Sequence, residues 1–200
     1  MNSFFLQFTD AHAHLPESPS DDGRITVPAG QRILLNAVSA DDFSRVAALA
    51  QKFPEMIVPA FGVHPWVADS WNAETRVLLR RYLSAMPSAT VGEIGLDRCR
   101  GDRKVQEIAF REQLELAVEF CVPVSLHVVR AFGKTEEMLR PFFRAGTLPP
   151  FLLHAYGGSP EQAKIFAQFG GVFSASRKTL PPECRLVPES DKPLGELYGN

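Results

Sequence analysis

The sequence has little cysteine: only Cys99, Cys121 and Cys184, far apart and without a CxxC spacing. An odd number of scattered cysteines argues against a disulfide framework and against a cysteine-based zinc site. It is typical of free thiols in a reducing compartment, so a cytoplasmic location is expected. The N-terminus also lacks a basic flank followed by a long apolar run, which predicts that there is no signal peptide.

Long hydrophobic runs and an excess of charge of either sign are missing as well. No stretch approaches the roughly 18 apolar residues of a membrane-spanning helix, and we expect no membrane partner. The 21 Lys and Arg residues stand against 23 Asp and Glu residues, which leaves a net charge of −2. The chain as a whole therefore has no basic field to attract nucleic acid, and a polyanionic substrate would need another means of capture, such as a metal.

The chain has instead a regular alternation of short apolar runs and helical patterns. Helix starts are indicated by Ser39 with Asp42 and by Ser159-Pro160 with Gln162, and a third helix has an apolar stripe from Phe110 to Cys121. Several of the runs are apolar almost throughout, as parallel strands covered on both faces are. The eight predicted strands are SFFLQFTDA, RILLNAV, MIVPAFGV, ATVGEIGL, VPVSLHVV, PFLLHAY, GGVFSAS and CRLVPES.

Eight strands in 200 residues give one strand every 25 residues, which predicts an α/β fold of the (β/α)8 TIM-barrel type over a single domain, residues 1–200. Such barrels typically need about 250 residues but occur from about 200. The alternative is an open doubly wound sheet. That fold usually shows a glycine-rich turn after its first strand, and no such turn is present.

The predicted barrel is shortened and lacks its last helix, because little chain follows the eighth strand. Residues 16–30 are expected to form a loop in place of the first helix, and residues 177–184 a turn in which Arg177 and Lys178 are solvated. A barrel without its last helix would expose apolar surface between the last and first strands. We expect a partner subunit, such as the second copy of a homodimer, or an N-terminal segment to cover this seam, or the natural chain to be longer.

All five histidines lie within or at the end of a predicted strand. Because barrel active sites lie at the C-terminal ends of the strands, these histidines share one rim with two acidic residues. Taken singly, each residue has an ordinary explanation, such as a hydrogen-bonded core side chain or a turn cap. The candidate ligands are His12, His14, His64, Glu93, His127, His154 and Asp191.

The His12-x-His14 pair strengthens the metal interpretation. Side chains two residues apart on a strand point to the same face, so both imidazoles can reach one ion. Imidazole and carboxylate ligands suit zinc, manganese, iron or nickel, and the lack of cysteine ligands favours a catalytic site. The ligand set exceeds what one tetrahedral ion uses, which predicts two ions about 3.5–4 Å apart.

These motifs resemble those of one family in their order along residues 8–194. The segments TDAHAHL, FGVHPW, VGEIGLD, REQLELAVEFCVPVSLH, FLLHAYGGSPEQA and VPESDKP are similar to successive signatures of the TatD family of metal-dependent deoxyribonucleases, within the amidohydrolase-like metal-dependent hydrolases. The resemblance implies a TIM barrel with two divalent ions, zinc, magnesium or manganese. It also implies hydrolysis of phosphodiester bonds in DNA.

The resemblance further implies roles for individual residues. His12 and His14 with Glu93 would hold one ion, and Glu93 would share the second ion with His127 and His154. Asp191 would be a ligand and the base that activates water. Nearer the substrate, His64 would contact the phosphate, and Trp66 would stack on a base or sugar or else anchor its loop.

Some substrate-side positions depart from the family pattern. After the strand-five histidine the family often has HSRDA, whereas this chain has HVVRA, with Val128 and Val129 in place of polar residues and Arg130 one position late. Two other interpretations therefore stay open. One is a hydrolase of the same superfamily acting on a small phosphoester, amide or lactone. The other is a degenerate metal-binding barrel without turnover.

Overall fold

Eight parallel strands, numbered in chain order, form one sheet in the computed structural model, which describes residues 3–174 and 179–198. Each strand pairs with the next one along the chain, in the order β1 to β8. The strands are β1 (Asp10–His14), β2 (Ile33–Asn36), β3 (Ile57–Phe61), β4 (Thr90–Asp97), β5 (Val124–Val129), β6 (Phe151–Leu153), β7 (Val172–Ser174) and β8 (Arg185–Val187).

The segment that follows β8 returns to β1 and closes the barrel. The backbone N–H of Ala11 donates to the carbonyl of Pro188 at 2.9 Å, and that of Asp191 donates to the carbonyl of His12 at 2.9 Å. His14 N donates to the carbonyl of Lys192 at 3.0 Å. The predicted (β/α)8 topology is therefore confirmed.

Helices alternate with the strands along the outside of the barrel. The predicted capping at Ser39 and Ser159 is present: Ser39 N donates to Asp42 Oδ2 at 3.0 Å, and Gln162 N donates to Ser159 Oγ at 3.2 Å. The helices are α1 (Phe43–Lys52), α2 (Ala73–Ala85), α3 (Arg103–Phe120), α4 (Phe132–Arg144), α5 (Pro160–Gln168) and α6 (Leu194–Tyr198). Among the described residues, no helix combines the length and apolarity needed to cross a bilayer.

One predicted helix residue is corrected. Cys121 does not belong to the buried stripe of α3, because the helix ends at Phe120 and Cys121 adopts a left-handed conformation (φ 54°) with an exposed side chain. Cys99 and Cys184 are free thiols as well. No disulfide is formed by the three cysteines, as the sequence predicts.

The N-terminal apolar run is not a strand over its full length. Phe4–Gln7 forms a 3-10 helix, and β1 begins only at Asp10. Phe5 is fully buried and Phe8 nearly so. They pack against inward-facing residues of the barrel: Ala11, Leu34, Val58, Ala60, Leu152, Val172 and Val187. A barrel interior has to be filled by side chains, and here this run fills its base rather than extending the sheet.

The chain's own residues cover part of the seam between β8 and β1. Residues 15–31 include a 3-10 helix, Pro19–Arg24, and their Ile25 and Val27 are buried in the same cluster as Ala13 of β1. The one-turn helix α6 stands where the eighth helix was predicted to be missing. On β8, Leu186 is 56% exposed. A homodimer in which a second copy covers Leu186 stays a prediction. The predicted positions of Arg177 and Lys178 lie outside the described residues.

Candidate metal centre

The strand ends bring all the predicted ligands to one end of the barrel. His12 and His14 lie on β1, and Glu93 lies within β4. His64 precedes the 3-10 helix Pro65–Ser70 that follows β3. His127 lies on β5, His154 follows β6 directly, and Asp191 lies in the segment that closes the barrel.

Glu93 lies between two groups of histidines, and its side chain is only 2% exposed. Its Oε2 atom is 3.3 Å from His12 Nε2 and 3.9 Å from His14 Nε2. These three residues offer ligand atoms that all lie within 4.8 Å of one another. They match one of the two ligand groups that the family resemblance implies.

The other oxygen of Glu93 faces the second group. Oε1 is 2.7 Å from His154 Nε2, 2.9 Å from His127 Nδ1 and 3.4 Å from His64 Nε2. His127 Nδ1 and His154 Nε2 are themselves 3.2 Å apart. The structure thus brings together the implied second group, Glu93 with His127 and His154, and adds His64 to its edge.

Asp191 reaches the first group from the closing segment. Its Oδ1 atom is 3.2 Å from His14 Nε2 and 3.9 Å from His12 Nε2, and its side chain is 43% exposed. Asp191 also offers a ligand atom within 4.8 Å of those of His12 and His154. An Asp that looks like an ordinary turn residue in the sequence is therefore positioned by backbone pairing with β1.

The donor set fits a divalent cation. Three buried ring nitrogens have no hydrogen-bond partner among the described residues: His12 Nε2, His14 Nδ1 and His154 Nδ1. Buried polar atoms are normally paired, and of these three His12 Nε2 faces Glu93 Oε2, so its lone pair can serve a cation held by the same carboxylate. The other ring nitrogen of His12 lies 3.1 Å from Ser125 Oγ and 3.2 Å from Asn36 Nδ2. Such a contact behind a histidine ligand orients its ring.

Burial and charge move the pKa values of these groups in opposite directions. Burial, with the charge of His154, lowers the pKa of His12 to about 3. Burial also opposes protonation of His154, but Glu93, Glu189 and Asp191 outweigh it and raise its pKa to about 9. Shifts of this size cluster at functional sites.

The two carboxyl groups stay ionised. Burial acts to raise the pKa of Glu93, but the charge of His154 and the close contacts with His12 and His127 hold it well below its usual value. Burial also opposes ionisation of Asp191, and the hydrogen bond from His14 with the charge of His154 outweighs it, so the pKa of Asp191 is lowered. Two buried or half-buried anions at one rim are what a cation site requires.

Trp66 is both anchored and exposed. Its indole Nε1 donates to Asp97 Oδ2 at 2.6 Å, and the guanidinium of Arg100 lies 4.0 Å from the centre of its ring. The indole is still 46% exposed. His64 caps this turn, because its Nδ1 atom accepts from Trp66 N at 3.1 Å while Nε2 faces Glu93.

Two acidic residues near the site were not singled out from the sequence. Asp97, besides binding Trp66, lies 3.4 Å from His127 Nε2. Glu189 accepts from Ala155 N at 2.9 Å and from the hydroxyl of Ser174, which ties the ends of β6 and β7 together beside His154. Asp97 ends VGEIGLD and Glu189 lies in VPESD, so position within these motifs was the available signal.

Asp10, which the FTDAHAHL segment places beside the histidines, has a structural role. Its carboxylate accepts from His12 N at 3.2 Å, Ser190 N at 3.0 Å and Ser190 Oγ at 2.6 Å. These bonds join β1 to the segment that carries Asp191. Asp10 therefore supports the rim, since it holds two ligand-bearing segments in place.

Comparison with known proteins identifies relatives along most of the chain. The sequence model of the family described as TatD related DNase matches residues 9–193. The 3'-5' ssDNA/RNA exonuclease TatD of Erwinia billingiae (strain Eb661) is 30% identical over 177 residues, 80% of this chain and 67% of the relative. The uncharacterized metal-dependent hydrolase YjjV of Escherichia coli (strain K12) is 31% identical over 175 residues, 82% of this chain and 66% of the relative.

The fold comparison agrees with the sequence comparison. The crystal structure of YjjV aligns with a TM-score of 0.71 at 30% identity, and covers 86% of this chain and 68% of the other. This chain thus spans about two thirds of the length of these relatives. The family match runs across every candidate ligand from His12 to Asp191. The chain therefore belongs to the TatD family of metal-dependent hydrolases.

Proposed function

We propose that this chain hydrolyses phosphodiester bonds of nucleic acid with two divalent ions, zinc, magnesium or manganese. The observation that carries the proposal is the division of the histidines by Glu93, whose two oxygens face different groups. A carboxylate shared in this way suits a pair of ions. The exonuclease name of the Erwinia relative supports nucleic acid as the substrate.

The ligand assignment follows the two groups. His12, His14 and Glu93 would hold one ion, and Glu93 would share the other with His127 and His154; Asp191, whose carboxylate lies beside His12 and His154, would be a further ligand. For His12 Nε2 to bind a cation, the ring proton has to be on Nδ1, where Ser125 Oγ accepts it at 3.1 Å. When bound, such ions lower the pKa of water and neutralise the charge that grows on phosphoryl oxygens.

Asp191 is the proposed general base. Its lowered pKa keeps it ionised at neutral pH, and its half-exposed carboxylate is open to an entering water. Asp191 would accept the water proton as the water oxygen attacks phosphorus, and the leaving oxygen would depart with the electron pair of the broken P–O bond. Without a bound cation, His14 Nε2 hydrogen-bonds Asp191 Oδ1 at 3.2 Å, which keeps this carboxylate beside the first group of ligands.

His64 is the proposed hydrogen-bond donor to the phosphate. Burial lowers its pKa, so the ring is neutral at pH 7. Its Nδ1 atom accepts from Trp66 N, which places the single ring proton on Nε2. His64 would therefore stabilise negative charge on a phosphoryl oxygen. The exposed face of Trp66, with its ring orientation held by Asp97, would stack on a base or sugar.

The test is to incubate the metal-loaded protein with an end-labelled single-stranded oligonucleotide. We expect shortened products that disappear with EDTA and in Asp191→Asn. The control Asp69→Asn changes the same charge at an exposed position without an ion pair among the described residues and is expected to retain activity. Hydrolysis of a small diester such as bis(p-nitrophenyl) phosphate without oligonucleotide cleavage would assign a small phosphoester substrate instead. Bound metal with no hydrolysis of either would indicate a barrel without turnover.

A further inference from the structure

A groove opens beside the metal centre on the side of β5 and β6. Its cavity measures about 750 Å³, and it is lined by Arg98, Val129, Arg130, Gly133, Lys134 and Ser159, among others. Val128 and Ala155 also line it, and they directly follow His127 and His154 in the chain. The groove is therefore adjacent to the proposed metal ligands His127 and His154.

Two arginines give this groove uncompensated positive charge. Arg98 and Arg130 are exposed, and within residues 3–174 and 179–198 neither has a carboxylate within 4.0 Å of its guanidinium. Lys134 differs, because its ammonium lies 3.3 Å from Glu107 and 3.0 Å from Glu137 and is shared by these two carboxylates. Glu137 is the one acidic residue among those that line the groove, so the two arginines leave the groove with an excess of positive charge.

The two arginines directly follow the ends of the neighbouring strands β4 and β5. Arg98 N donates to the carbonyl of Val129 at 3.0 Å, which holds the residue after β4 against the end of β5, next to Arg130. The first turn of α4 borders the same groove and has no side-chain cap, so its N–H groups add partial positive charge there. A chain with net charge −2 thus concentrates positive charge at one place beside its catalytic rim.

The position suits a phosphate other than the one that is cleaved. Arg98 and Arg130 line the groove, whereas neither lines the separate cavity formed by the proposed metal ligands His14, Glu93, His127, His154 and Asp191. A phosphate held by Arg130 is therefore separate from a phosphate at the metal centre. Guanidinium groups bind phosphate with two parallel hydrogen bonds, which makes arginine well suited to this contact.

We propose that this groove binds the substrate strand beyond the scissile bond, with Arg98 and Arg130 contacting phosphates that are not cleaved. This inference rests on the proposed function and assigns the second binding site of the same substrate. It explains how a chain without an overall basic field holds a polyanion. It also requires that the preferred substrate is a polynucleotide rather than a small phosphoester.

The test is the double variant Arg98→Gln/Arg130→Gln, made in the Asp191→Asn background so that the strand is not cut. Binding of a fluorescein-labelled single-stranded oligonucleotide is followed by anisotropy at several salt concentrations. Removing one arginine–phosphate ion pair reduces the slope of log K against log salt by about 0.7 for a single strand, so we expect a reduction of about 1.4 for two. The affinity near 0.1 M salt is expected to fall at least tenfold.

The matched control is Arg81→Gln/Arg111→Gln. These exposed arginines lie on α2 and α3, and among the described residues they have no ion pair. The control makes the same change in net charge and is expected to keep the slope. Equal slopes for the groove variant and the control would overturn the inference. Thermal melting of each variant checks that the barrel is folded.

A second measurement distinguishes strand binding in the groove from hydrolysis at the metal centre. With Asp191 intact, the ratio of kcat/KM for the oligonucleotide to that for bis(p-nitrophenyl) phosphate is expected to fall at least tenfold in the groove variant. An unchanged ratio and an unchanged slope in an active enzyme would refute strand binding by Arg98 and Arg130 and leave the proposed function standing. Failure of the wild-type protein to hydrolyse either substrate would refute the proposed function, while the anisotropy slope still decides the groove.

Discussion

Replacing Glu93 by Gln tests the metal centre most directly. The substitution keeps the size of the side chain but removes the negative charge that both groups of histidines share, at 3.3 Å from His12 and 2.7 Å from His154. It also places an amide N–H₂ among ring nitrogens that have to present lone pairs to a cation. We therefore expect divalent-ion affinity to fall sharply while the barrel stays folded.

The magnitude follows from linkage between binding and stability. A ligand at about 1,000 times its Kd stabilises the native state by about 4 kcal/mol. For a chain of this size, each kcal/mol raises the Tm by roughly 2–4 °C, so the wild-type shift is on the order of 10 °C. Removing a hydrogen bond that only orients a metal ligand already costs about 10- to 100-fold in affinity. A shared direct ligand is expected to cost at least 100-fold, which reduces the shift to about 4 °C.

The assay is a pair of thermal melts, with EDTA and with a fixed free concentration of manganese or zinc. The control is Glu115→Gln, which changes the same charge at an exposed position of α3 without an ion pair among the described residues. We expect this control to show the full wild-type shift. If Glu93→Gln also kept the full shift, Glu93 would not be a ligand, and the two-ion centre would have to be abandoned.

Three further predictions concern the metal-free protein, the base of the barrel and the support of a ligand. With EDTA, the free energy of unfolding should fall as pH rises from 6.5 to 9.5, because His154 keeps its proton up to a pKa of about 9 in the native state but only to about 6.5 in the unfolded state. Urea titration should show a loss of up to about 3 kcal/mol. A flat profile in the wild type would contradict the Glu93–His154 pairing. Phe5→Ala should destabilise the barrel by about 3–5 kcal/mol in the same titration, because it leaves a cavity among the side chains that fill the base of the barrel. A loss below about 1 kcal/mol would show that Phe5 does not stabilise the base. Ser125→Ala should weaken metal binding by about 10- to 100-fold in a competition titration, because Ser125 orients the ring of His12. Its Tm with EDTA should stay near that of the wild type. Unchanged metal affinity would show that Ser125 does not orient this ligand.

The barrel topology was predictable because its signals are local. An apolar run between helical patterns shows which segments become parallel strands, and a right-handed crossover leaves few ways to order them. The histidines were predictable as a group for the same reason, since each one lies near the end of such a run. His12 and His14 needed only the two-residue period of a strand.

Partners from distant parts of the chain were not predictable in this way. Asp97 contacts Trp66 because β4 ends beside the turn after β3. Glu189 accepts from Ser174 of β7 because the closing segment, which contains Glu189, passes beside that strand. The apolar run at Phe4–Gln7 has the composition of a strand, but it forms a 3-10 helix whose Phe5 packs into the base of the barrel. The need for side chains to fill the base comes from the closed barrel and not from the run itself.

The amino-acid sequence by itself determined the eight-stranded order and the supply of imidazole and carboxylate ligands, because strand formation and residue type are local properties. Only the tertiary structure decided that Glu93 lies between the two groups of histidines and that Arg98 and Arg130 line one groove. Those positions depend on how far each strand is shifted against its neighbours, and that shift is set by the packing of the whole barrel.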